Sequence, residues 1–178
     1  MKIKNGILKS VSRLDVKEGT FHIPEEVKRI GPMACCELSN LMELTIPKTV
    51  EVIEDNAFFR CRNLTRVIFK GSDTRLGTSV FCGCMYLVDV RLPQNLEKLP
   101  IGTFAGCKML ESMILPNTLH EIGDLAFRNC ISLTEIAIPN DVDFVHYRNF
   151  MGCEKVKIVY HGHTYSYDDL ETYQVFLS

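Results

Sequence analysis

The chain has 178 residues, within reach of a single domain, and carries 46% hydrophobic and 24% charged residues. That balance excludes a disordered chain, and no apolar run reaches the ~20 residues that a bilayer-crossing helix needs, so membrane insertion is not expected. The formal net charge is −2 with no recurring Lys/Arg stripe, which argues against nucleic acid as a partner.

The N-terminus reads MKIKNGILKSVSRLDVKEG. Lys2 and Lys4 are not followed by an apolar stretch of about 7–15 residues, so the segment is not a signal peptide. As it stands, the sequence predicts a cytoplasmic protein. A cell-surface or secreted location is the alternative if an export signal is missing. Ile7, Val11, Leu14 and Val16 alternate with polar residues, and residues 1–20 are predicted to form an N-terminal cap.

From residue 21 to residue 160 a 23-residue register governs the chain. Phe58, Phe81, Phe104, Phe127 and Phe150 fall in one column. Cys61, Cys84, Cys107, Cys130 and Cys153 fall in a second, and Leu41, Leu64, Leu87, Leu110, Leu133 and Val156 in a third. An Ile-Pro column runs through Ile23-Pro24, Ile46-Pro47, Leu92-Pro93, Leu115-Pro116 and Ile138-Pro139. A small-residue column holds Ala34, Ala57, Val80, Thr103 and Ala126, with Asn149 as its odd member. A fixed period of this length predicts a solenoid of six coils, each too small to bury its own apolar face but able to do so by stacking.

Within a coil, Arg66-Val67-Ile68-Phe69 alternates with period two and predicts a short strand, stopped in most units by the proline that follows. Such strands in register predict a parallel sheet. The segment Asp55–Cys61 starts with Asp-Asn and places Ala57, Cys61 and Leu64 at helical spacing, which predicts one turn of α or 3₁₀ helix per coil. The third unit is irregular: Lys70-Gly71-Ser72-Asp73 stands where the others have Pro-x-x-Val. A buried unpaired carboxylate is costly, so Asp73 is expected to bulge into solvent. Past the repeats, Ser166-Tyr167-Asp168-Asp169 reads as a capping box. Residues 167–177 then predict an amphipathic helix with Leu170, Tyr173 and Phe176 or Leu177 on one face, within a C-terminal cap spanning 161–178. That aromatic face is alternatively a partner surface.

Outward strand positions form two columns. One is Glu43, Arg66, Asp89, Ser112, Glu135 and Ile158; the other is Thr45, Ile68, Arg91, Ile114, Ala137 and Tyr160. Arg91 between Ile68 and Ile114 has the mix of aliphatic contact and arginine that interfaces favour, although good strand formers would also fill such positions. The candidate partner-binding residues are therefore Glu43, Arg66, Ile68, Asp89, Arg91, Ile114, Glu135 and Tyr160. The column cysteines read as buried free thiols, with a coil-to-coil disulfide as a geometrically permitted alternative. His161 and His163 lack a third ligand at recognisable spacing, no dinucleotide or phosphate-loop fingerprint occurs, and no catalytic, metal or cofactor site is expected.

The stretch LESMILPNTLHEIGDLAFRNC, residues 110–130, resembles the bacterial BspA-like, or Treponema-type, leucine-rich repeat, whose signature is L-x-x-I-x-I-P-x-x-V-x-x-I-G-x-x-A-F-x-x-C. Thr49, Ser72, Asn95, Thr118 and Asp141 stand where receptor-type repeats place an Asn ladder, and the recurrent Cys lies elsewhere. The resemblance implies a right-handed α/β solenoid with a short parallel sheet on its concave face. It implies no enzyme and no cofactor. The expected function is a protein-binding module, with adhesion as its related use, acting through the concave face on an unidentified protein partner. The alternative is a structural or self-associating scaffold acting through its ends or C-terminal helix, as a monomer or weak homo-oligomer.

Overall fold

The computed structural model describes residues 1–173. Strands stack in two parallel columns. The front column holds Thr20–His22, Glu43–Ile46, Arg66–Phe69 and Asp89–Arg91 in one sheet, then Ser112–Met113, Glu135–Ala137 and Lys157–Tyr160 in a second. His163–Ser166 closes that second sheet antiparallel to Lys157–Tyr160. The flank column holds Ile7–Ser10, Arg29–Ile30, Val52–Ile53 and Arg75–Leu76, then Lys98–Leu99 paired with Glu121–Ile122. Counted along the front column, the stack has seven turns, one more than the six expected.

The alternation read from the sequence decides which side chains turn in. Leu44, Ile46, Val67, Ile136 and Ile158 are buried, and the Phe, Cys and Leu columns are fully enclosed. Phe58, Phe81, Phe104, Phe127 and Phe150 form one stack with ring centroids 5.5–5.9 Å apart and planes within 17° of parallel. Offset stacking at this spacing suits the aromatic quadrupole.

The expectation of an α/β chain with a helical turn in every coil is corrected by the structure. Segment 55–61 is a run of tight turns in which successive N–H groups alternate between two destinations. Asn56, Phe58 and Arg60 donate forward to the carbonyls of Thr78, Val80 and Cys82, at 2.9, 3.0 and 2.8 Å. Ala57, Phe59 and Cys61 donate back to carbonyls three residues earlier. A helix would send every one of these N–H groups along its own axis. The alternation requires left-handed backbone at Asn56 (φ 57°) and Arg60 (φ 54°), a pattern repeated at Met33 and Glu37, and at Leu125 and Asn129. Only the last coil forms a 3₁₀ turn there, Tyr147–Phe150, where Asn149, Met151 and Cys153 all donate locally. The helix Tyr167–Tyr173 rests on that turn.

Cys61, Cys84, Cys107, Cys130 and Cys153 are free thiols, each donating its S–H to a backbone carbonyl of the preceding coil at 3.0–3.4 Å. Burial pushes the Cys61 thiol up to about 12 and raises those of Cys84 and Cys107 as well. Asn149 is fully enclosed but satisfied: its amide nitrogen donates to the Gly123 carbonyl at 2.7 Å, and its oxygen accepts from the His146 N–H at 2.8 Å.

At the irregular coil Asp73 is exposed, as expected, and accepts from Asn95 Nδ2 at 2.8 Å and from Ser72 Oγ at 2.6 Å. Those hydrogen bonds, the one from Asn95 first, hold its carboxyl below the usual range. Thr74 takes the inward place instead, buried with its hydroxyl donating to the Val50 carbonyl at 2.8 Å.

Before the first front strand, the antiparallel hairpin of Lys2–Lys4 and Ile7–Ser10 extends the flank sheet. Leu8 and Val16 are buried there, whereas Leu14, one of the apolar positions of this cap, is 82% exposed. It sits in the 3₁₀ turn Arg13–Asp15, which breaks the alternation and points its side chain out. At the other end, Ser166 and Asp169 form the reciprocal cap read from the sequence: Ser166 N–H and Oγ–H donate to the Asp169 carboxylate at 2.7 Å, and Asp169 N–H donates back to Ser166 Oγ at 3.2 Å. Leu170 is fully buried. Phe176 and Leu177 lie outside the described residues, as does the side chain of Tyr173.

Candidate functional site

The candidate surface is the outer face of the front sheet. Pairing brings Glu43, Arg66 and Asp89 side by side on adjacent strands. Arg66 bridges the two acids, its Nη1 3.5 Å from Glu43 and its Nε 3.1 Å from Asp89. All three side chains are about half exposed, so these pairs are worth at most ~1 kcal/mol each and chiefly fix where the charges sit. In the next column Ile68 lies directly beside Arg91. Arg91 is exposed and makes no ion pair among the described residues.

Ile114 is 89% exposed, the highest value among the large apolar side chains described. The hydrogen-bonded register stops between Asp89–Arg91 and Ser112–Met113. A groove of about 440 Å³ occupies that break, lined by the apolar Val88, Val90, Leu92, Met113 and Ile114 and by Asp89, Arg91, Gln94 and Ser112. A second groove of about 510 Å³ runs between Ser112–Leu115 and Glu135–Asn140. Ile114 borders both.

Two sequence expectations fail at the far end of this face. Tyr160 is 3% exposed, and its hydroxyl donates to the Val142 carbonyl at 2.6 Å, so it is a core residue and not part of the outer face. Ile158 is likewise buried. Glu135 pairs with Lys157, and Ala137 with Val159. The last coil is one residue short, which flips every side chain of its strand to the opposite face. Lys157 and Val159 hold the outward places there.

The columns also left out exposed apolar side chains in the turns just before the front strands: Tyr86 (53%), Val88 (47%) and Met109 (42%). Their signal was available, since Tyr86 and Met109 interrupt a column that is polar at Asn40, Asn63 and Ser132. Tyr, Met and Arg are the types enriched where proteins meet. A larger groove of about 740 Å³ lies on the flank, where the register stops between Arg75–Leu76 and Lys98–Leu99. Its walls mix Leu76 and Leu96 with the charged or polar Asp73, Arg75, Asn95, Glu97, Lys98 and His120. Among the described residues no three His, Cys, Asp or Glu side chains are placed to hold a metal, and no helix is long and apolar enough to cross a membrane.

Residues 28–157 match a family model described as the BspA type leucine rich repeat region, six copies. The chain is similar to a solved leucine rich repeat protein of T. pallidum, at 24% identity and a TM-score of 0.75, with 82% of this chain and 70% of that one covered. It is similar to a leucine rich cell surface protein of Faecalibacterium prausnitzii at 27% identity and a TM-score of 0.60, covering 88% of this chain and 35% of that one. It also resembles the pneumococcal vaccine antigen PcpA at 18% identity and a TM-score of 0.53, covering 95% of this chain and 42% of that one. The chain thus spans about a third of the Faecalibacterium protein and less than half of the pneumococcal one. No curated protein matches it.

Proposed function

The chain belongs to the BspA-type leucine-rich repeat family, and we propose that it is a non-enzymatic protein-binding module holding its partner on the outer face of the front sheet, the concave side of a right-handed solenoid. The observation that carries this is the row Ile68, Arg91, Ile114. It sets an aliphatic side chain almost fully in water between two grooves and beside an arginine without an acidic partner among the described residues. Large exposed apolar side chains around a groove mark contact surfaces. We place its work at a cell surface, in adhesion, on the strength of the Faecalibacterium relative, which is described as a cell surface protein.

The test is a double variant, Ile68→Ala with Arg91→Ala, compared with the parent for capture of proteins from a cell-surface extract. Capture is expected to be lost with the melting temperature unchanged. Unchanged capture would overturn this reading. A second reading, self-association through the solenoid ends, is favoured by His163–Ser166, an edge strand whose ladder partner within the chain is Lys157–Tyr160. Under that reading a proline at Thr164 shifts the sedimentation coefficient, while the double variant leaves it alone.

A further inference from the structure

We infer that the groove beside Arg91 reads a carboxylate, and that the partner it fits is an extended peptide segment in which an aspartate or glutamate is flanked by aliphatic residues. The inference rests on the reading of the front sheet as a protein-binding face and names the chemistry of what binds there.

The argument starts from charge. Of the two arginines on the face, Arg66 is neutralised between Glu43 and Asp89. Arg91 makes no ion pair among the described residues and stands at the rim of the 440 Å³ groove. A guanidinium presents a planar fork that matches a carboxylate with two parallel hydrogen bonds. Apolar side chains flank it, Ile68 on one side and Val90, Leu92, Met113 and Ile114 along the groove, while Asp89, Gln94 and Ser112 supply the groove's polar lining. A carboxylate bound there leaves bulk water, so the pair gains strength from a low local dielectric.

Of the acids near the site, Asp89, on the groove wall, is paired with Arg66, and Glu135 stands one strand further on, in register with Lys157. A basic segment would set like charge against Arg91. The grooves on either side of Ile114 are the places for the flanking aliphatic side chains. A sulfated glycan offers the negative charge but nothing to cover those walls.

The experiment uses the full chain and three synthetic peptides identical except at their centre, Val-Glu-Val, Val-Gln-Val and Val-Lys-Val in a Gly/Ser frame, with binding read by fluorescence anisotropy. The glutamate peptide is expected to bind about tenfold more tightly than the glutamine one. Arg91→Gln is expected to erase that difference, and Arg91→Glu to transfer the preference to the lysine peptide. Arg91 is exposed, so neither change should move the melting temperature. Equal binding of the glutamate and glutamine peptides, a preference that survives Arg91→Gln, binding of none of the three, or binding of a sulfated oligosaccharide in their place would each overturn the inference. Equal binding that is still lost in Ile114→Asp would sink the carboxylate readout while leaving the protein-binding face standing.

Discussion

Gly123 rests on the backbone of Ile101 in the coil before it: a Cβ added to Gly123 would stand 2.5 Å from the Ile101 nitrogen. Its φ is not in the left-handed region, so glycine is needed here for the approach of two coils and not for conformation. Gly106 is the converse, with φ +75° and its nearest neighbour, the Gly83 Cα, at 3.6 Å. Gly123→Ala is expected to cost about 2–3 kcal/mol, as overpacking does, against about 1 kcal/mol of backbone strain for Gly106→Ala. Urea melts of the two variants check the order, and the reverse order would refute coil spacing as the governing term.

Phe104 stacks between Phe81 and Phe127, at 5.7 and 5.9 Å, with no exposed surface. Phe104→Ala is expected to destabilise the fold by ~3–5 kcal/mol through lost transfer energy and a cavity. A loss below ~1 kcal/mol in chemical denaturation would contradict the interior placement.

Met33 occupies a left-handed position, φ 54°, with its side chain 57% exposed. Asn56 holds the same place one coil on. Met33→Asn therefore relieves strain and forfeits little burial, for an expected gain of about 0.5–1 kcal/mol in a thermal or urea melt.

The column thiols set an alkaline limit. A buried thiol such as Cys61, at about 12 in the folded chain, stays neutral there, whereas an unfolded cysteine ionises near ~8.5. The folded value is the higher one, so the contribution is complete below ~8.5 and is lost as pH rises towards the folded value. Each thiol raised by burial, as Cys61, Cys84 and Cys107 are, is expected to remove up to about 1.4 kcal/mol per pH unit above that point. The urea midpoint should hold steady to about pH 8 and fall beyond it. Cys84→Ala with Cys107→Ala should flatten the fall, and an unchanged midpoint at about pH 10 would remove the thiols from the explanation.

The enclosed Phe, Cys and Leu columns were legible because nearly every coil repeats the same residue type at a fixed interval, and the front strands because apolar and polar positions alternate there at that interval. The flank strands were not, since Val52–Ile53 or Lys98–Leu99 offers two residues and a single inward side chain, too short a signal for period two. The turns misled because Ala57, Cys61 and Leu64 sit at helical spacing, while the left-handed residues that forbid a helix include Met33, Glu37 and Leu125, which carry no turn signature. Ile158-Val159-Tyr160 is apolar in either register, so nothing in it betrayed the missing residue that carries Tyr160 inward. On the candidate face, Ile68, Arg91 and Ile114 could be read from spacing alone. The break in the ladder beside Arg91 could not, because its strands alternate like the others.

Each tight turn before the last coil hands alternate N–H groups to the coil after it, so donors and acceptors face each other across these junctions with the same polarity. Excising or duplicating one whole 23-residue unit between equivalent points would rejoin matching halves of the ladder. Length in this architecture is therefore quantised: it can grow or shrink by whole rungs without re-solving the packing, and a recognition face can be lengthened rung by rung while its neighbours keep their fit.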